Sequence, residues 1–181
     1  MRGEELPHQN AAVRFELAAS ELPATKGGPP SAFLVLERVQ EAADGMVSTP
    51  VYRTEVLPKT ASPQWKAFEV GVQQLCNANF GQLVHVKVYA WRKGGDHALL
   101  AQAETTLDAL LASAQPQAAK TLRLSPPATK TAAAGTPAGV LQLKAAHLIA
   151  RPSFLDYVRG GCQINFSVRG SCVNVCVDRC I

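Results

Sequence analysis

Leu83–Thr106 reads LVHVKVYAWRKGGDHALLAQAETT. Val84, Val86, Val88 and Ala90 alternate with His85, Lys87, Tyr89 and Trp91. A period of two puts the first set on one face of a β-strand and the second on the other, so the segment reads as half-buried strand. Arg92-Lys93-Gly94-Gly95-Asp96-His97 breaks the alternation, and a second β-compatible run starts at Leu99. A Gly-Gly pair in a polar loop between two such runs is a hairpin signal.

Working outward, the same signature recurs. Val13–Ala19 alternates, and Phe33–Val39 is nearly continuously apolar, as in a strand central to its sheet. Val51–Val56 and Trp65–Val70 are rich in β-formers. Lys120–Leu124 and Val140–Ala145 complete about eight short strands. Glu21–Pro30, Glu41–Thr49 and Leu57–Pro63 read as turns and loops, and Gln73–Gly81 as a loop or short helical turn. Leu107–Ala112 has helical composition. The expected fold is all-β, an antiparallel eight-stranded β-sandwich. Its core is expected to hold Phe15, Leu17, Leu34, Leu36, Val84, Val86, Val88, Leu141 and Leu143.

The chain has 181 residues, 47% hydrophobic and 18% charged, with a formal net charge of +4. That composition suits a folded domain. The basic residues are scattered, which speaks against nucleic acid as a partner and leaves room for an anionic surface. No apolar run reaches the ~18 residues of a membrane span, and the polar start Met1–Pro7 lacks a leader's apolar stretch. The expected location is therefore the cytoplasm, peripherally at the plasma membrane. The five cysteines fit no even disulfide framework. Cys172, Cys176 and Cys180 recur every four residues, which on a helix would suit a soft metal, but the intervening Val173, Val175 and Val177 suit a strand. The four histidines are widely spaced, and no nucleophile motif or Gly-rich phosphate loop is present, so an enzyme is not expected.

Four stretches carry a family resemblance. Val51–Val56 with Ser62–Phe68 is similar to the copine element VYRTEV…NPxWKPF. Val86–Tyr89 with Gly95–Leu100 resembles VxxYDxDxxGxHDLIG, and Gly139–Leu143 resembles the closing strand GxIxV. Phe154–Phe166 resembles the linker FLDYIxGGCQxNF, which in copines leads into a von Willebrand factor A-type domain. The series therefore resembles a second copine C2 domain followed by the first strand of a truncated A-type domain. The implied division is a flexible N-terminus over 1–11, a C2 domain over 12–150 with a low-complexity loop at 125–139, a linker and strand over 151–168, and a divergent tail over 169–181. The C-terminal extension is thus expected to be short and incomplete.

The resemblance implies calcium-dependent phospholipid binding. Ca²⁺ takes roughly six to eight oxygen ligands, mostly carboxylates and carbonyls. At the copine aspartate positions this chain has Ala90, Arg92 and Ala98. No metal site and no cofactor are expected, since the calcium ligands of the family are lost here. Trp91, Arg92 and Lys93 at a loop tip, with Lys26 on the neighbouring loop, are the candidate contacts to an anionic phospholipid membrane. Arg53, Lys66 and Lys87 are a second candidate basic surface. The alternatives are a protein-protein adaptor, and an inactive truncated fragment in which Cys162–Val168 lacks its own sheet.

Overall fold

A computed structural model describes residues 10–25, 27–42, 45–112, 120–127, 138–152, 160, 164–169 and 172–177. The chain divides into two compact units, 1–149 and 150–181. In the first, eight antiparallel strands form two four-stranded sheets. They are β1 (Ala12–Ser20), β2 (Ala32–Ala42), β3 (Gly45–Arg53), β4 (Phe68–Gly71), β5 (Leu83–Ala90), β6 (Ala98–Thr106), β7 (Lys120–Arg123) and β8 (Val140–Ile149). One sheet has the order β4-β1-β8-β7 and the other β3-β2-β5-β6. The expected antiparallel eight-stranded β-sandwich is the observed architecture.

The alternation in β5 is realised residue by residue. Val84, Val86, Val88 and Ala90 are buried, while His85, Lys87 and Tyr89 are only partly covered. Every residue expected in the core is buried there, and Trp65, Phe68, Leu75, Leu100, Leu107 and Leu124 join them. A contact links the two sheets along each side of the sandwich. Tyr52 of β3 stacks on Phe68 of β4, with ring centroids 4.2 Å apart. On the other side, Gln102 of β6 exchanges two backbone hydrogen bonds with Ser125, at 2.9 and 2.8 Å.

Three expectations need correction. Glu41–Thr49 is mostly strand, because β2 continues to Ala42 and β3 already begins at Gly45. A solvent-facing strand tolerates the polar side chains that read as a turn. Register along β2 and β3 shifts between Leu36 and Glu37, so that Leu36 pairs with Tyr52 but Glu37 with Pro50. Trp65 precedes its strand, which starts at Phe68; its backbone N–H donates to Leu17 O at 3.2 Å and its side chain fills the core. Finally, Ile164–Val168 does not lie unpaired. Ile164–Arg169 (β9) forms an antiparallel pair with Cys172–Val177 (β10) in the second unit. Cys172 and Cys176 therefore lie along a strand and not on a helix. Cys180 and most of the 151–163 linker lie outside the described residues.

Short helices close the loops between strands. Helix α1 (Val72–Cys76) ends at Asn77 in the left-handed region, with φ 50°. Helix α2 (Leu107–Ala112) is capped by Thr106, whose Oγ1 accepts the Ala109 N–H at 3.2 Å. Gly139, leading into β8, has φ +112° and passes so close to the end of β1 that a Cβ there would lie 2.9 Å from Ser20 O.

Candidate functional site

Ser31, just before β2, ties together two of the loops at one end of the sandwich. Its carbonyl accepts the Trp91 N–H at 2.7 Å, and its Oγ accepts the Lys59 N–H at 3.3 Å. The 54–63 connection is held to the same strand start by paired bonds between Ala32 and Leu57, both 2.9 Å, and by Thr60 N–H to Pro30 O at 3.0 Å. Loop 91–97 thus sits beside loop 54–63. Lys59, with φ +46°, is exposed and joins Trp91, Arg92 and Lys93 at this end. Sequence reasoning missed Lys59, because only the pairing of Leu57 with Ala32 reveals where that loop goes.

The loop after β5 is locally braced. Gly95 N–H donates to Arg92 O at 3.2 Å, and Gly95 takes φ +89°, which a side chain would resist. The Arg92 N–H donates to His97 Nδ1 at 3.2 Å. Trp91 remains 44% exposed, and Arg92, Lys93 and Asp96 are exposed. An amphipathic ring and three cations therefore face solvent at one end. Lys26, the candidate on the 21–31 loop, lies outside the described residues.

At the positions matching the copine calcium ligands this end presents Ala90, Arg92 and Ala98. Ala90 is buried and pairs with both Ala32 and Ala98, so methyl groups stand where the copine pattern has carboxylates. Arg92 adds a cation. Among the described residues, no group of three or more His, Cys, Asp or Glu is placed to hold a metal ion.

The structure separates the second set of candidates. Arg53 lies on the outer face of the β3-β2-β5-β6 sheet, its guanidinium 4.0 Å from the centre of the Phe33 ring. Phe33 also stacks against Tyr89 at 5.6 Å and meets the edge of His97 at 5.0 Å. These residues, with Val35, Glu37 and Pro50, line a cleft of about 270 Å³. Lys87, on the same face, is engaged: its Nζ lies 2.6 Å from Glu37 Oε2. Glu37 is buried at 7% exposure, so Lys87 supplies its counter-charge. Burial, reinforced by the Glu37 carboxylate and opposed by Lys87, raises the Tyr89 phenol above its ordinary value. Lys66 is exposed in the β3–β4 connection, where its backbone N–H donates to Glu55 Oε1 at 2.8 Å. No described contact joins it to Arg53 or Lys87.

Comparison with known proteins agrees with this fold. The family model for the C2 domain matches residues 16–122. The chain is 29% identical over 130 residues to "Nicotinic receptor-associated protein 1" of Caenorhabditis elegans, covering 65% of this chain and 20% of that protein. It thus spans one fifth of the length of that relative. Among solved structures, "BON1-C2B" aligns with a TM-score of 0.64 at 18% identity, over 79% of this chain and 94% of that one. A C2 domain of plant Extended Synaptotagmin 1 aligns with a TM-score of 0.51 at 18% identity, over 79% and 95%. No helix among the described residues is long and apolar enough to cross a membrane. C2 domains are in general non-enzymatic modules that engage membranes or proteins, and by its sequence match and its two-sheet topology this chain belongs to the C2 domain family.

Proposed function

We propose that this chain is a copine-like C2 module that associates peripherally with anionic phospholipid membranes, without calcium, at the cytoplasmic face of the plasma membrane. One observation carries the reading: Ser31 gathers Trp91 and Lys59 at one end, beside Arg92 and Lys93. An indole prefers the membrane interface. Each cation near an anionic surface contributes about 1 kcal/mol. Arg92, Lys93 and Lys59 together would contribute about 3 kcal/mol before any insertion of Trp91. The alanines at the calcium positions make such binding independent of the ion.

Co-sedimentation with phosphatidylserine–phosphatidylcholine vesicles tests this. Arg92→Ala/Lys93→Ala removes two cations, so partitioning should fall about 30-fold. Trp91→Ala should weaken it further, and a calcium chelator should leave wild-type binding unchanged. Equal binding by wild type and the double variant would overturn the reading.

A second reading, protein docking, is favoured by the aromatic cleft on the outer face. It accords with the name of the worm relative, which describes association with a receptor.

A further inference from the structure

Within the second unit, β9 and β10 form a two-stranded sheet. A hairpin alone is marginal in water and is stabilised by further strands. Among the described residues, no strand pairs with the other edge of β10. That strand, Cys172–Val177, contains no proline and no charged residue, and its register with β9 is unbroken. Nothing in it blocks the addition of a strand.

The sequence of this edge suits one occupant. Cys172-Val173-Asn174-Val175-Cys176 reads the same in both directions. An antiparallel two-fold centred on Asn174 therefore sets each residue opposite its own kind. Cys172 meets the partner's Cys176, Val173 meets the partner's Val175, and Asn174 meets the partner's Asn174. A two-fold interface uses the same patch on both copies, and a palindromic strand is such a patch.

The hydrogen-bonding phase agrees with that centre. Cys172 pairs with Arg169 across a two-residue connection. The pair flanking such a connection is hydrogen-bonded, and bonded and non-bonded pairs alternate along the ladder. Cys172, Asn174 and Cys176 then direct their N–H and C=O groups to β9, while those of Val173 and Val175 point to the free edge. Pairing about Asn174 joins these free groups to those of the partner's Val175 and Val173. The cysteines fall at non-hydrogen-bonded positions. Facing Cα atoms there are about 4.5 Å apart, inside the roughly 4.4–6.8 Å that a disulfide spans.

We propose that β10 joins β10 of a second copy of this chain, antiparallel about Asn174, in one continuous sheet of order β9-β10-β10-β9. Pairing is reversible while the thiols are reduced, and hydrogen peroxide locks it. A Cys172 or Cys176 thiolate attacks the peroxide, breaking its O–O bond to give a sulfenic acid and water. The facing thiol of the second copy then displaces the sulfenic oxygen as a second water. Each disulfide thus consumes one peroxide and two thiols and releases two waters. This interface is independent of the membrane reading.

The test uses the full chain carrying Cys162→Ser/Cys180→Ser; Cys76 is buried and stays. Cys172→Ser and Cys176→Ser are made separately in that background. Peroxide treatment of their equimolar mixture should give a covalent dimer on a non-reducing gel, reversed by dithiothreitol. Either variant alone should give none, because its remaining cysteine faces a serine. Sedimentation velocity of the reduced background protein should show a concentration-dependent monomer–dimer equilibrium. Val175→Pro removes an edge-facing N–H and keeps the ladder to β9, so the dimer should be lost, with the urea midpoint and vesicle binding unchanged. Three outcomes overturn the proposal. A chain that stays monomeric, with no covalent dimer from the mixture, would remove the interface. Cross-linking of one variant alone as readily as of the mixture would show chance collision in place of register. A dimer that survives in Val175→Pro would place the contact on another surface.

Discussion

Lys87→Met should cost this domain about 3 kcal/mol, although Lys87 reads as a surface lysine. The reason is its partner. Glu37 is 7% exposed, and its carboxylate lies 2.6 Å from the Lys87 ammonium. Removing one member of a buried pair strands the other charge, at about 3–5 kcal/mol. The Lys87 side chain keeps 20% of its exposure, so some water reaches the pair and the low end of that range applies. A domain of this size has a urea m-value of roughly 2 kcal/mol/M, so the midpoint should fall by about 1.5 M. The complementary change, Glu37→Leu, should cost less, about 1 kcal/mol, because a lysine can extend its ammonium to solvent. Glu37→Leu/Lys87→Met should recover most of the loss, since neither charge then remains. Circular dichroism in urea for the four proteins completes a double-mutant cycle. Tyr89 supplies an independent readout. With Lys87 gone, the Glu37 charge acts on it unopposed, and its phenol should ionise at still higher pH than in the wild type. A loss of under about 0.5 kcal/mol for Lys87→Met, the usual range of a surface change, would refute the sealed pair.

Two other perturbations address parts of the fold remote from that pair. Gly139→Ala forces a Cβ to 2.9 Å from Ser20 O at φ +112°, and should lower stability by about 1–3 kcal/mol in the same urea assay, with membrane binding retained by the folded fraction. The Cys76 thiol is pushed up to about 11, by burial first and by Asp108 second, against a lowering bond at Ala78. Its folded value exceeds its unfolded one, so its contribution is complete below pH 9 and should be lost as the pH rises towards about 11. Cys76→Ala should flatten that part of the stability profile, and native Cys76 should react slowly with a thiol reagent at pH 8, then fast once the chain is unfolded.

The sandwich was legible because its signal is local. Alternation in Val84–Ala90 and the apolar run Phe33–Val39 each specify a strand and its buried face without reference to the rest of the chain. Strand ends were less legible, since the turn signal Glu41-Ala42-Ala43-Asp44-Gly45 masks how far β2 and β3 pair on either side of it. The site was harder still. Lys87 and Arg53 look alike in sequence, and only the position of Glu37, fifty residues before Lys87, distinguishes a paired cation from a free one. Lys59 carries no motif at all; its place beside Trp91 follows from two hydrogen bonds to Ser31. Charges that act at a distance in sequence are invisible until the strands are in register.

The register shift between β2 and β3 has a consequence for life at high concentration. β3 is the outermost strand of its sheet, and it exposes Met46 and Val47, at 62% and 48%. An open apolar edge of that kind invites a neighbouring chain to add its own strand. Pro50, set opposite Glu37 by the shift, offers no amide hydrogen, and the irregularity beside it bends the strand away from the flat geometry that a template needs. The offset that places Pro50 in the cleft wall therefore also makes β3 a poor seed for aggregation.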